Sequence, residues 1–230
     1  MSSSSPPDAS TEPAIEPVPS AAAELFGDRL PRAQAYVDLL CDEGIEWGLM
    51  GPREGARIWT RHVAHCALLA ELVPHGASVI DVGTGAGLPG VPLAILRPDL
   101  HVTLLEPLAR RVRFLELAAT RLELVNTTVV QAKAHTAATP ACDVATARAV
   151  APLGRLAAWT VPLLRTGGVL LAIRGASAAA EVADAEMEIT QAGAAHASVV
   201  TVTHQGLDPL VVVRATRVSR ETAARARKKR

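Results

Sequence analysis

The spacing of hydrophobic positions changes near residue 76. Before it, apolar side chains recur at helical intervals, in Leu30, Val37 and Leu40 and again in Ile58, Val63, Cys66, Leu69 and Leu72. Two or three helices are predicted there, interrupted around Gly48 to Pro52. After Pro74-His75-Gly76 the pattern becomes one of short β-rich runs alternating with helical stretches. Strands are predicted over 77–82, 102–106, 127–131, 143–147, 169–173, 198–204 and 210–215, and helices over 88–96, 108–122, 153–164 and 177–191. Strand-helix alternation implies a mostly parallel sheet with right-handed crossovers. Only Gln205-Gly206-Leu207-Asp208-Pro209 separates the last two strands, so these should pair as an antiparallel hairpin. The expected fold class is therefore α/β: a doubly wound, Rossmann-like, seven-stranded sheet with a terminal hairpin and an N-terminal helical cap. The expected segments are an unstructured tail over 1–20, rich in Ser and Pro, the cap over 21–73, the sheet domain over 74–218 and a basic tail over 219–230.

Composition narrows this picture without redrawing it. Of the 230 residues 49% are hydrophobic and only 3% aromatic, so Ala, Val and Leu must fill the core. That suits a parallel sheet covered on both faces. No apolar run is long enough to cross a membrane, and the first residues lack a basic-then-apolar leader pattern. Three widely spaced cysteines, Cys41, Cys66 and Cys142, argue against a disulfide scaffold, and a cytoplasmic location is expected. Net charge is zero but unevenly spread. The segment before Ser20 is acidic, with Asp8, Glu12 and Glu16, whereas Arg214, Arg217, Arg220, Arg225, Arg227, Lys228, Lys229 and Arg230 face a lone Glu221. Such an end is either a solvated terminus or a contact for a polyanion.

The chemistry concentrates at the end of the first strand, where Asp81-Val82 is followed by Gly83-Thr84-Gly85-Ala86-Gly87 and then a helix. Ligands of open α/β sheets sit at such carboxyl ends, and glycines let the backbone approach them. The second strand ends in Glu106, nineteen residues beyond Gly87, where a carboxylate accepts hydrogen bonds from ribose hydroxyls. Read from Gly85, the loop formally matches the dinucleotide fingerprint Gly85-x-Gly87-x-x-Gly90, which is weak evidence alone. The layout of five helix-linked strands followed by a terminal hairpin resembles class I methyltransferases. Asp81 two residues before the first glycine, the ungapped glycines and the long helical segment upstream favour S-adenosyl-L-methionine over a nicotinamide dinucleotide.

A narrower resemblance runs over 61–175. Arg61-His62, Asp81 through Ala94, Leu104-Leu105-Glu106-Pro107, Arg110-Arg111-Val112-Arg113-Phe114-Leu115 and Ala147-Arg148-Ala149 resemble the glucose-inhibited division protein B family. Members of that family methylate guanine at N(7) in 16S ribosomal RNA of the small subunit. The resemblance implies cofactor contacts at Gly83 and Leu88, a pair flanking the adenine at Ala134 and His135, and Arg148 beside both cofactor and target. Arg148 is the only candidate for a catalytic role. Two departures stand out: the family usually has an acid where His135 stands, and often Lys where Arg174 stands.

Guanine N(7) has an in-plane lone pair and attacks a methyl sulfonium without losing a proton, so positioning matters more than a general base. In keeping with this, no Asn/Asp-Pro-Pro-Tyr/Phe follows the fourth strand, and Cys142 starts that strand rather than ending it. Arg61, His62, Arg110, Arg111, Arg113, Arg148 and Arg174 are the candidate RNA contacts. For Arg110, Arg111 and Arg113 a solvated helix face is the alternative. His62, His65 and Cys66 share a helical face, but no acid completes a ligand set, so no metal is expected. An NAD-dependent oxidoreductase and a ribosome-binding module without catalysis remain the competing classes, and on fold alone a small-molecule methyltransferase stays open, with the basic tail against it. Nothing in the sequence calls for a dimer, and a monomer is expected.

Overall fold

The computed structural model describes residues 15–219. The basic run 220–230 and most of the expected N-terminal tail lie outside them. In the cap, α1 (Ser20–Phe26), α2 (Leu30–Cys41) and α3 (Glu43–Glu46) lead into a helical stretch of changing pitch. That stretch comprises a π-turn at Ile58–Val63, α4 (Ala64–Ala67) and a 3-10 turn at Leu68–Leu72. The sheet domain follows as β1 (Ser78–Val82), α5 (Gly90–Leu96), β2 (His101–Glu106), α6 (Ala109–Arg121), β3 (Thr127–Gln131), β4 (Cys142–Arg148) and α7 (Leu153–Thr160). It is completed by β5 (Leu164–Arg174), α8 (Ala178–Asp184), α9 (Glu186–Gln191), β6 (Ala194–Val202) and β7 (Leu210–Arg217).

The seven strands lie in the order β3-β2-β1-β4-β5-β7-β6. The first five are parallel, and β7 runs antiparallel between β5 and β6. The order in which the strands are added reverses between β1 and β4, which opens a crevice above their carboxyl ends. Strand alternation sorts the core into two layers. Val79, Val102, Leu104, Val144 and Leu171 pack against the cap, α5 and α6, while Ile80, Leu105, Ala145, Leu170 and Val213 pack against α7 and α9. Asp81 and Glu106 follow the same alternation as Val79 and Leu104, so both carboxylates face the cap.

Several boundaries differ from those expected. Helix α5 begins at Gly90, with Pro89 as its cap residue, so Leu88 and Pro89 stay in the loop. The predicted helix over 153–164 is α-helical to Thr160 and tightens into a 3-10 turn at Val161–Leu163, ending where Leu164 pairs with Cys142 as the start of β5. The helix over 177–191 divides at Ala185 into α8 and α9. Arg214 and Arg217 belong to β7 rather than to a tail, and Arg217 donates to the carbonyls of Pro162 and Leu164. Residues 15–19 run extended along the cap. There the Glu16 carboxylate accepts from the amides of Trp59 (2.8 Å) and Thr60 (3.1 Å). No helix among the described residues is long and apolar enough to cross a membrane.

Candidate functional site

The loop after β1 is braced from below. Asp81 is fully buried, and its Oδ2 accepts from Thr84 Oγ1 (2.5 Å) and from the Gly90 amide (2.8 Å). One carboxylate oxygen thus holds the loop and the first amide of α5, while Oδ1 has no partner among the described residues. Burial pushes this carboxyl up to about 7, and the nearby Glu106 charge adds to the rise against the two hydrogen bonds. Gly87 is likewise behind the loop. At φ +105° a Cβ there would lie 2.5 Å from Val91 Cγ2 and 3.0 Å from the Tyr36 hydroxyl. Tyr36, on α2, donates that hydroxyl to the Ala86 carbonyl at 2.8 Å. Asp81 and Gly87, both candidate cofactor contacts, therefore shape the loop without lining its cavity.

Above the loop lies a cavity of about 520 Å³, walled by Gly83, Gly85, Leu88, Glu106, Arg111 and Arg148. From the cap, Leu49, Met50 and His62 close its far side. The Glu106 side chain is 1% exposed; its two oxygens accept from the amides of Gly85 (3.0 Å) and Leu108 (3.1 Å), and Arg111 stands 3.7 Å away. Gly83, at φ +67°, faces Val150, whose Cγ2 would sit 3.0 Å from a Cβ. Next to it, sharing Gly83, Pro107 and Val150, is a mostly apolar pocket of about 250 Å³ that includes Ala134, His135 and Trp159. The His135 and Trp159 rings are 6.5 Å apart.

Arg148 ends β4 and reaches into the cap. It donates to Cys66 Sγ (3.2 Å), the Arg61 carbonyl (3.2 Å) and His62 Nδ1 (2.9 Å). An arginine donates only, so Nδ1 must accept and the proton of neutral His62 sits on Nε2. That Nε2 faces Glu54 Oε2 at 2.6 Å. Burial lowers the His62 pKa more than the Glu54 hydrogen bond raises it, and the hydrogen bond from His62 in turn lowers Glu54. The result is a chain Glu54–His62–Arg148 whose imidazole stays neutral. The expected cluster of His62, His65 and Cys66 thus divides: His62 and Cys66 hold Arg148, and His65 turns to the Pro209 carbonyl at 3.4 Å.

Beyond Arg148 and Ala149 opens a further cavity of about 390 Å³, which Arg61 and Arg174 help to line. Of the other expected RNA contacts, Arg110 and Arg113 point outward on α6, as a solvated helix face would. Sequence reasoning missed Tyr36, Glu54, Met50 and Trp159. Only a buried tyrosine's need for an acceptor hinted at one of them.

The geometry suits a ligand with a flat apolar ring, a ribose and a charged tail. The slot lined by Ala134, His135 and Trp159 is mostly apolar, Glu106 presents a buried carboxylate, and Gly83 and Gly85 lead along the wall toward Arg148. The family model described as rRNA small subunit methyltransferase G matches residues 29–211. The chain is 52% identical over 198 residues to ribosomal RNA small subunit methyltransferase G of Thermobifida fusca, covering 85% of this chain and 84% of that protein. To the protein of the same name in Streptomyces avermitilis it is 47% identical over 201 residues, covering 86% and 84%. Among solved structures, the S-adenosylmethionine-dependent methyltransferase SibL superposes with a TM-score of 0.57 at 20% identity, over 86% of this chain and 75% of that one. A SAM-dependent methyltransferase from Aquifex aeolicus gives 0.54 at 18%, over 80% and 98%. Both share the fold.

Proposed function

The chain belongs to the glucose-inhibited division protein B family, rRNA small subunit methyltransferase G, and on that premise we propose that it methylates 16S rRNA. The methyl donor is S-adenosyl-L-methionine and the acceptor is N(7) of a guanine in the RNA of the small ribosomal subunit. The observation that carries this reading is the placement of Arg148 and Ala149 in the wall shared by two cavities. One cavity has the ribose-binding carboxylate and the glycine loop, and the other opens among arginines.

When bound, S-adenosyl-L-methionine supplies an electrophilic methyl group on a sulfonium. Glu106 accepts hydrogen bonds from ribose hydroxyls, exchanging them for those it now takes from the loop. Ala134, His135 and Trp159 enclose the adenine, His135 through its backbone. Gly83 and Gly85 present backbone to the methionyl part, and Arg148, fixed on three sides, offers its remaining donors to the carboxylate. Neutral His62 keeps Arg148 in place without adding a second positive charge. Leu49 and Met50 exclude water from the cap side. Catalysis by these residues is orientation, since the acceptor nitrogen needs no base. Arg61 and Arg111 line the two cavities and meet RNA phosphates.

The test has two arms. Thermal-shift titration should show stabilisation by S-adenosyl-L-methionine and none by NAD. Labelled methyl groups should then pass to 16S rRNA or 30S particles and not to free nucleosides. Stabilisation by NAD alone, or RNA binding without transfer, overturns the proposal.

A further inference from the structure

The cavity beyond Arg148 has a wall whose hydrogen-bonding capacity is unspent. Arg174, the last residue of β5, has a side chain only 9% exposed, yet its Nε and Nη2 find no hydrogen-bond partner among the described residues. The Glu181 carboxylate stands 3.6 Å from Nε, beyond hydrogen-bond reach, and its other oxygen accepts from Ser177 Oγ at 2.8 Å. Burial lowers the Arg174 pKa, as it must for a cation short of partners. Buried donors left open in this way are costly, and ligand sites are where such costs persist. Asp208 lines the same cavity from the turn between β6 and β7. It lies three residues before Val211, the strand partner of Arg174, and the turn is tied to the cap by His65 at the Pro209 carbonyl.

We propose that this cavity receives the acceptor guanine, with Arg174 and Asp208 selecting the base by its Watson–Crick edge. Arg174 donates to O6, and the Asp208 carboxylate accepts from N1–H and the 2-amino group. This inference rests on the methyl-transfer reading above. Guanine offers one acceptor beside two donors, and the pair Arg174–Asp208 supplies one donor group beside one double acceptor. Adenine reverses that polarity and would set its amino group against the guanidinium and its N1 lone pair against the carboxylate. Held by this edge, the base keeps N(7) free. As the N(7)–methyl bond forms and the sulfur–methyl bond breaks, the purine gains the positive charge the sulfonium loses, and no proton leaves. Asp208 is then the anion placed on the base that becomes cationic.

The experiment uses an RNA fragment carrying the acceptor guanine, mapped with the wild-type protein, and the same fragment with inosine there, which lacks the 2-amino group. For wild type, inosine should lower kcat/KM roughly tenfold or more, the loss of one hydrogen bond to a charged group. Asp208→Ala, which removes both hydrogen bonds, should lose at least as much on guanine and treat the two bases alike. Arg174→Met should lose roughly 10- to 100-fold on both bases while keeping their ratio. In both variants calorimetry should return wild-type affinity for S-adenosyl-L-methionine, which also shows that they fold. A wild-type protein that transfers no methyl group overturns the functional reading and this inference with it. An active wild type whose Asp208→Ala variant keeps the full preference for guanine overturns this inference alone.

Discussion

Asp81 offers the sharpest separation between a residue that touches the ligand and one that shapes the loop. Its Oδ2 accepts from both Thr84 Oγ1 and the Gly90 amide, and all three groups are buried. Asp81→Ala strands both donors at about 1–3 kcal/mol each, so roughly 2–6 kcal/mol of stability should vanish, a large part of what a domain possesses. Asp81→Asn keeps an acceptor and removes the charge. The folded-state pKa, raised to about 7, means the native protein holds a proton there that the unfolded chain releases near 3.8. Between those values the unfolded state binds fewer protons, so the contribution of this carboxyl to stability falls as pH rises and levels off above 7. Going from pH 5 to pH 8, the Asn variant should therefore gain roughly 3 kcal/mol on wild type, at about 1.4 kcal/mol per unit up to 7. Urea unfolding at both pH values measures the stabilities, and calorimetry measures cofactor affinity in parallel. The reasoning is refuted if Asn and wild type keep a constant difference from pH 5 to 8. It is refuted equally if Asp81→Ala abolishes cofactor binding without losing stability, since Asp81 would then be a direct contact.

The Glu54–His62–Arg148 chain sets a pH limit. The depressed His62 pKa means its contribution is present above the ordinary histidine value and lost as pH falls through the folded one, because a protonated Nδ1 cannot accept from Arg148. Single-turnover methyl transfer should drop on the acid side, and His62→Asn, whose carbonyl oxygen stays an acceptor, should flatten that limb; an unchanged limb contradicts the chain. Arg148→Lys cannot reach Cys66, Arg61 and His62 together, so kcat/KM should fall roughly 10- to 100-fold by steady-state assay. Gly87→Ala meets Val91 at a positive φ and should cost about 2–4 kcal/mol in chemical denaturation, with weaker cofactor binding following from the displaced loop.

What could be read in advance was local. The glycines, Glu106 at its distance from them, and the strand-helix alternation are short-range signals, and a cavity does lie at the end of β1 where they point. Signals that cross the chain were not legible. Glu54 and Tyr36 act on residues 8 and 50 positions away, and neither contact leaves a periodic trace. The direction of the final hairpin follows from the Gly206 turn, whereas the insertion of β7 between β5 and β6 depends on which sheet edge is free. The division at Ala185 has no proline or glycine to mark it; packing of Ile189 against the second layer accompanies it. The bracing hydrogen bonds of Asp81 were not legible for a related reason. An acid beside a glycine loop looks like a ligand contact until the helix amide that it caps is seen.

The central claim is methyl transfer to guanine N(7), and one measurement addresses it most directly. Unmodified 16S rRNA or 30S particles are incubated with the protein and S-adenosyl-L-methionine, digested to nucleosides and resolved by mass spectrometry. The account predicts one new 7-methylguanosine per RNA, dependent on Arg148. RNA that stays unmethylated, or a methyl group on any other atom or base, contradicts it.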